Sequence, residues 1–347
     1  MAMASGRQAG CLKRCRMWLA LGIWAGLGCT PGFAQTTVLV GAGSTIPVAL
    51  FAKWGREYSQ RNPLARMRYL PVGTTEGIDQ ISHGTGDFGV GESPLTDKQR
   101  REGSLIELPL LLIAVVPIYN LPGGNQELRL SGEVLAEIFL GEVKTWNAPS
   151  IVRLNPDMAL PNLPIKVIHR AAGRGSNFVF TSFLAKASPR FQAQIGTTAS
   201  PNWRTGRGVE YSSDVADAVR DEPGSIGYVE LRYAMERHLP QAAVLNLSGR
   251  FVKASAETIT AACTAVEQQR WNNFSASLTN APGPDSYPIT SFSWLYLPGA
   301  NLRHAPALAD LLNWMFTDGQ RYVRDEGYFE LPQPLLAAVR SRFESLR

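Results

Sequence analysis

Beyond residue 35 the chain alternates between β-rich stretches and stretches whose apolar residues recur at helical spacing. Thr37–Val40 is β-rich and ends at Gly41-Ala42-Gly43. Ser44 then stands where a helix cap would, and Pro47, Leu50, Phe51, Trp54 and Tyr58 follow on one helical face. Met67–Val72 reads as a strand closed by Gly73, and Asp87–Val90 as a short strand. Leu108–Tyr119 is apolar almost throughout and too rich in isoleucine and valine for a surface helix. Ser131–Leu140 predicts a helix. Ile165–His169 predicts a strand leading through a loop into a helix with Phe178, Val179 and Phe183 on one face. Asp214–Arg220 predicts a helix ended by Pro223-Gly224, Ile226–Val229 a strand, and Leu311, Trp314 and Met315 a further helix. The stretch "SFSWLYLPG" has the composition of a core strand. This βα alternation predicts an α/β fold with mainly parallel sheets.

The N-terminus changes how the bulk charge is read. Arg7, Lys13, Arg14 and Arg16 precede an apolar run from Met17 to Gly28, 12 residues and too short to span a bilayer as a helix. Gly32-Phe33-Ala34 places small residues at −3 and −1 for cleavage before Gln35, so residues 1–34 are expected to be a cleaved signal peptide and the protein to be periplasmic. An uncleaved anchor is disfavoured by the length of the run. A lipid on Cys29 is disfavoured by Gly26-Leu27-Gly28, a poor lipobox. Removing four basic residues and no acid lowers the formal net charge from +5 to +1, so the balance gives no reason to expect a nucleic-acid partner. Cys11, Cys15 and Cys29 leave with the leader. Cys263 remains, which excludes an internal disulfide or a cysteine metal cluster. The 45% apolar content of the whole chain is enough for one large core or two medium ones, and two lobes are expected.

Three strand-to-helix loops combine glycines with hydroxyl side chains: Gly41-Ala42-Gly43-Ser44-Thr45, Gly73-Thr74-Thr75-Glu76-Gly77 and Gly173-Arg174-Gly175-Ser176-Asn177. Free N–H groups and the positive end of the dipole at a helix start attract anions, and glycine lets the backbone approach an oxyanion closely. Ordinary turns and caps have the same composition, so one such loop says little. Three of them, one beside Arg170, point to an oxyanion site, because a guanidinium grips phosphate-like oxygens through two parallel hydrogen bonds. The chain carries no Gly-x-Ser-x-Gly elbow, no Gly-x-x-x-x-Gly-Lys-Ser/Thr loop and no His-Glu-x-x-His. Gly41-x-Gly43 and Gly173-x-Gly175 lack the third glycine of a dinucleotide fingerprint. His83, His169, His238 and His304 are scattered, so no metal or other cofactor is expected. His169 adjoins Arg170, but no carboxylate is spaced to orient it as a base.

Seven segments, "GAGSTIPVALFAKW", "GTTEGIDQI", "DFGVGESPLTD", "IFLGEVKTWN", "HRAAGRGSNFVFTSFLAK", "PGSIGYVELRYA" and "YPITSF", occur in an order and spacing by which the chain resembles the periplasmic phosphate-binding proteins of the phosphate-specific ABC importer. The likeness runs from about Val38 to about Phe343. It implies a two-lobed type II periplasmic binding protein fold, each lobe a mixed or mainly parallel sheet flanked by helices, with the anion in the cleft. Lobe one is expected at 36–112 plus 254–347 and lobe two at 113–253. The resemblance implies ligand contacts from Thr45, the backbone of Ile46, Thr74 and Glu92 on one side, and from Arg170, Arg174, Gly175 and Ser176 on the other. It further implies a non-enzymatic, monomeric receptor that delivers phosphate to an inner-membrane ABC permease. A phosphatase, or a surface or secretion-linked module on the same scaffold, is the alternative; Trp294, Leu295 and Tyr296 would supply an apolar docking patch for the module. Three positions depart from the family pattern. Glu92 stands where aspartate is usual, Ala172 where an aspartate usually adjoins the arginine, and Arg174 where serine is usual. An altered anion selectivity is therefore expected, with Arg174 gripping the ligand or swinging to solvent.

Overall fold

The computed structural model describes residues 36–123, 127–266, 274, 276–299 and 305–346, so the leader, Cys29 and His304 lie outside the described residues. The strands are β1 (Thr37–Gly43), β2 (Ala65–Leu70), β3 (Phe88–Gly91), β4 (Leu105–Tyr119), β5 (Arg129–Leu130), β6 (Lys166–Arg170), β7 (Arg207–Val209), β8 (Ser225–Glu230), β9 (Ala243–Leu245), β10 (Phe251–Val252) and β11 (Thr290–Pro298). Helices α1 (Val48–Arg61), α2 (Thr74–Ser82), α3 (Asp97–Glu102), α4 (Gly132–Phe139), α5 (Pro149–Val152), α6 (Gly175–Ala187), α7 (Pro189–Gln194), α8 (Ser212–Asp221), α9 (Leu231–Glu236) and α10 (Ala256–Thr264) lie between them. The chain is helical again over Pro306–Met315 and Gln333–Glu344.

Eight strands form one sheet in the order β2-β1-β3-β11-β4-β8-β6-β7, and β10-β9-β5 form a small second sheet. The flanks of the large sheet are parallel: β1 with β2 and β3, and β6 with β7 and β8. Its centre is antiparallel, because β11 pairs antiparallel with β3 and β4, and β4 with β8. The sheet is therefore mixed, and the expectation of mainly parallel pairing describes only its flanks. The reason is β4. Its first ten residues, Leu105–Ala114, lie against β11, whereas Val115–Tyr119 lie against β8, so one strand joins both halves. Residues Leu108 and Leu110–Ile118 are buried, with Pro117 also inside the strand, which explains a continuous apolar run rather than an alternating one. Trp294, Leu295 and Tyr296 on β11 are likewise buried, so they offer no docking patch.

Helix α1 lays Leu50, Phe51, Trp54 and Tyr58 into the core, as its spacing predicts. Phe51 stacks on Tyr69 at 4.2 Å between ring centroids, and the Trp54 indole N–H donates to the Gly319 carbonyl at 2.8 Å. Ser44 does not cap this helix. Pro47 precedes Val48 with its φ already near the helical value, and the Ser44 hydroxyl accepts instead from the nearer Ile46 N–H at 3.0 Å. Cys263 is buried on α10.

The C-terminal ends of β1, β3, β6 and β8 converge, and helices α2 and α6 begin there, the usual place for a ligand in an open α/β sheet. Close backbone approach sets α2 in position. A Cβ at Gly77 would overlap Gly43 Cα and lie 2.9 Å from the Ala42 carbonyl oxygen, and neither is a side chain that can swing away. Gly77→Ala is expected to lower stability by about 1–3 kcal/mol through this overpacking. Denaturant unfolding of the two proteins checks this; an unchanged midpoint would show that α2 can move without loss.

Candidate anion-binding site

One side of the site is built from the ends of β1 and β3. The Ser44-Thr45-Ile46 loop is tied down by two phenols, Tyr69 donating to the Ser44 carbonyl at 2.7 Å and Tyr328 to the Ile46 carbonyl at 2.8 Å. Thr74 opens α2 and is buried. Its hydroxyl donates to Glu92 Oε2 at 2.9 Å, and the Ser293 hydroxyl donates to Oε1 at 3.0 Å. Ser293 adjoins an irregularity in the β11–β4 register between Ser293 and Trp294, and such bulges re-aim side chains beside functional sites. Glu92 is wholly buried. Burial pushes its carboxyl up to about 7; hydrogen bonds from Ser44, Thr74 and Ser293 oppose the rise, and the charge of Glu230 adds to it.

The opposite side is built from β6 and the start of α6. Arg170, the last residue of β6, is buried. Its Nε donates to the Glu210 carbonyl at 3.2 Å, and its Nη1 to the hydroxyls of Ser212 and, at 3.4 Å, Ser176. Its Nη2 reaches across to the Thr45 hydroxyl at 3.4 Å. Glu230, at the end of β8, places Oε1 4.0 Å from Arg170 Nη1, and both Glu230 oxygens are buried with no hydrogen-bond donor among the described residues. A counter-charge for Arg170 thus comes from a strand far away in sequence. Asn177 holds the turn before α6 by donating to the Ala171 and Ala199 carbonyls at 2.7 and 3.0 Å, and Tyr228 donates to Asn177 Oδ1 in turn.

Gly175, Ser176 and Asn177 are buried at the first turn of α6, and no side chain caps that end. Among the described residues their backbone N–H groups meet no acceptor, although buried amides are normally paired. They and the helix dipole form a ready anion cradle. Glu92 faces it directly. A Cβ at Gly175 would overlap Glu92 Oε2 and lie 2.6 Å from its Cδ and 2.8 Å from Thr74 Oγ1, so only glycine permits the approach.

Of the residues singled out in the sequence, Thr45, Thr74, Glu92, Arg170, Gly175 and Ser176 come together here. The Ile46 amide is engaged by Ser44. Arg174 stands at the rim, partly exposed, and does not reach the Glu92 carboxylate: its guanidinium donates to the Val72 carbonyl at 3.1 Å and pairs with Glu210. His169 is half-buried and close to the Trp203 ring, burial lowers its pKa, and its Nδ1 lies 3.2 Å from the Arg170 carbonyl, with no carboxylate among its described partners. Ser212, Ser293, Tyr228 and Glu230 were not legible as site residues. They sit in or beside strands and helices whose patterns report burial alone.

The raised pKa of Glu92 has a sign. Above its ordinary value of 4.5 and below about 7, the folded chain keeps a proton that the unfolded chain has lost, so stability falls as pH rises through that window. The fall is expected to reach up to about 3 kcal/mol, since each pH unit crossed inside the window costs about 1.4 kcal/mol. Glu92→Gln has no such group and should gain on the wild type across the window. Denaturant midpoints measured from about pH 5 to about pH 8 test this, and parallel profiles for the two proteins would contradict it.

Residues 33–319 match the PBP superfamily domain. Among curated relatives, the chain is 35% identical over 322 residues to the "Phosphate-binding protein PstS" of Haemophilus influenzae, covering 92% of this chain and 96% of the relative. It is 33% identical over 323 residues to the PstS of Pasteurella multocida, covering 90% and 92%. Among solved structures, the fold matches the high-affinity periplasmic phosphate-binding protein PfluDING with a TM-score of 0.69 at 19% identity, over 88% of this chain and 93% of that one. It matches an ABC-type phosphate transport receptor from Vibrio cholerae with a TM-score of 0.60 at 15% identity, over 85% of this chain and all of the other. With the match to the domain and this identity along nearly the whole length of its relatives, the chain belongs to the PBP superfamily and, within it, to the family of the PstS phosphate-binding proteins.

Proposed function

We propose that this protein is a periplasmic receptor that captures inorganic phosphate between two lobes and hands it to an ABC importer in the inner membrane. One observation carries the reading: buried amides at the start of α6, without acceptors among the described residues, face a buried carboxylate, Glu92, and the buried Arg170 guanidinium reaches Ser176 in the same turn. Donors on one side and a proton acceptor on the other suit an anion that still carries a proton. Names and folds of the relatives support the same ligand. The signal-like N-terminus supports export, and the importer as partner follows from the family.

The lobes are assigned to 36–112 plus 254–347 and to 113–253, with β4 and the segment after β10 as the crossovers. Closure brings Thr45, Ile46, Thr74 and Glu92 against Arg170, Gly175 and Ser176, with Arg174 at the edge. Binding by closure needs donors and a hinge and no bond-making step. The receptor is assigned as a monomer without catalytic activity, and a phosphatase would in addition turn over a chromogenic phosphate ester.

Glu92 supplies the selectivity. Ionised, it accepts the proton of hydrogen phosphate or hydrogen arsenate. Sulfate offers no proton at neutral pH, so its lone pairs would face those of the carboxylate. Protonated, Glu92 can donate to sulfate, and the discrimination is lost.

Titration of the intrinsic tryptophan fluorescence with phosphate, arsenate and sulfate tests the proposal. At about pH 8, phosphate and arsenate should bind at least about 100-fold more tightly than sulfate, the scale expected when a site built for hydrogen bonds is left unpaired. The gap should narrow as pH falls below about 7, where Glu92 takes up its proton. Arg170→Met should weaken phosphate binding at least about 30-fold. Sulfate binding as tight as phosphate at about pH 8, or no phosphate binding at millimolar concentration, would refute the assignment.

A further inference from the structure

Arg174 is the N-cap residue of α6, with extended backbone and a side chain only 14% exposed. Its guanidinium does not point along the helix toward the anion cradle. Nη1 donates to the carbonyl of Val72, just past the end of β2 and on the opposite flank of the sheet from β6. Nη2 pairs with the Glu210 carboxylate, which lies on Arg174's own side, shortly after β7. Nε is buried and has no acceptor among the described residues.

The two loops meet closely at this point. Gly73 adopts φ +107°, and a Cβ there would lie 2.9 Å from Arg174 Nη1 and 3.0 Å from the Gly173 carbonyl oxygen. A side chain at 73 would be strained by this φ and would press on Arg174 and the Gly173 carbonyl, and the residue after it is Thr74, which holds Glu92. Between these two loops the hydrogen bond from Arg174 to Val72 joins the residue before Gly175 to the second residue before Thr74. The Arg170–Thr45 contact, at 3.4 Å, is a longer polar link between the same two flanks.

We propose that Arg174 is a positioning residue: aimed by Glu210, it latches the β2–α2 loop to the start of α6 and holds the site closed. The proposal builds on the reading of this site as the anion cleft. Nη1 and Nη2 are each engaged within the protein, so the guanidinium is aimed at Val72 and Glu210 rather than at the cradle. The Val72 carbonyl belongs to the other flank, so that hydrogen bond exists only when the flanks are together. Its free energy favours the closed arrangement whether or not an anion is inside, and by the same amount for every anion. A gripping residue would instead leave the ligand-free protein unchanged.

Three variants of the full mature chain decide between these roles: Arg174→Ser, Glu210→Gln and the two combined, each first confirmed as folded by its thermal unfolding transition. Small-angle scattering without ligand should give a larger radius of gyration for Arg174→Ser than for the wild type. Stopped-flow fluorescence should give faster release of phosphate and of arsenate by one common factor of about 10- to 100-fold, the scale of a hydrogen bond to a charged group. Glu210→Gln should produce a smaller increase, and the combined variant no more than Arg174→Ser alone. Superposable ligand-free scattering curves would overturn the latch, as would a loss that differs between phosphate and arsenate. Should the wild type bind neither anion, the anion-cleft reading fails by itself, and the scattering comparison still decides the latch.

Discussion

A carboxylate taken out of water must be met by donors or take up a proton, and Glu92 lies where both responses operate. Three hydroxyls, from Ser44, Thr74 and Ser293, favour its charge, while full burial pushes its pKa up to about 7. The arrangement depends on this one group. It lies against the start of α6, whose free amides favour negative charge, and the approach is close enough that Gly175 cannot carry a side chain. An aspartate would be one methylene shorter and would sit further back toward β3. The longer side chain moves the carboxylate toward the cradle.

The fold supplies what that group needs from distant parts of the chain. β4 passes from one half of the sheet to the other and is buried along nearly its whole length, which fixes the two flanks around a shared apolar spine. The irregular register at Ser293 turns a hydroxyl of β11 toward Glu92. Tyr69 and Tyr328 clamp the Ser44–Ile46 loop from β2 and from the C-terminal region. Each clamp is a neutral hydrogen bond of modest net worth, yet losing one would leave a buried polar group unpaired, which is the larger penalty.

The charges around the site are balanced by partners distant in sequence. Arg170 lacks an adjacent carboxylate in sequence, and Glu230 provides one from the end of β8. Glu230 has no hydrogen-bond donor of its own among the described residues, so its buried charge is tolerated chiefly through Arg170. Arg174 brings a second positive charge, and Glu210 offsets it at the rim. The two arginines and the two glutamates form two pairs, one deep and one peripheral, and Glu92 belongs to neither.

The sequence by itself determined the elements whose cause is local. The face of α1, the apolar length of β4 and the glycine-hydroxyl loops at Thr45, Thr74 and Ser176 follow from side-chain spacing and from backbone sterics within a few residues. The family likeness could single out Thr45, Thr74, Glu92, Arg170, Gly175 and Ser176 because each lies in a short contiguous motif. Only the tertiary structure decided the antiparallel centre of the sheet and the pairing of Arg170 with Glu230. It alone showed that Arg174 ends on a carbonyl 102 positions earlier in the chain. These depend on which segments meet across long loops, and neither local periodicity nor propensity contains that information. The destination of a long, flexible charged side chain is the extreme case, since its partner is chosen by what the rest of the fold brings within reach.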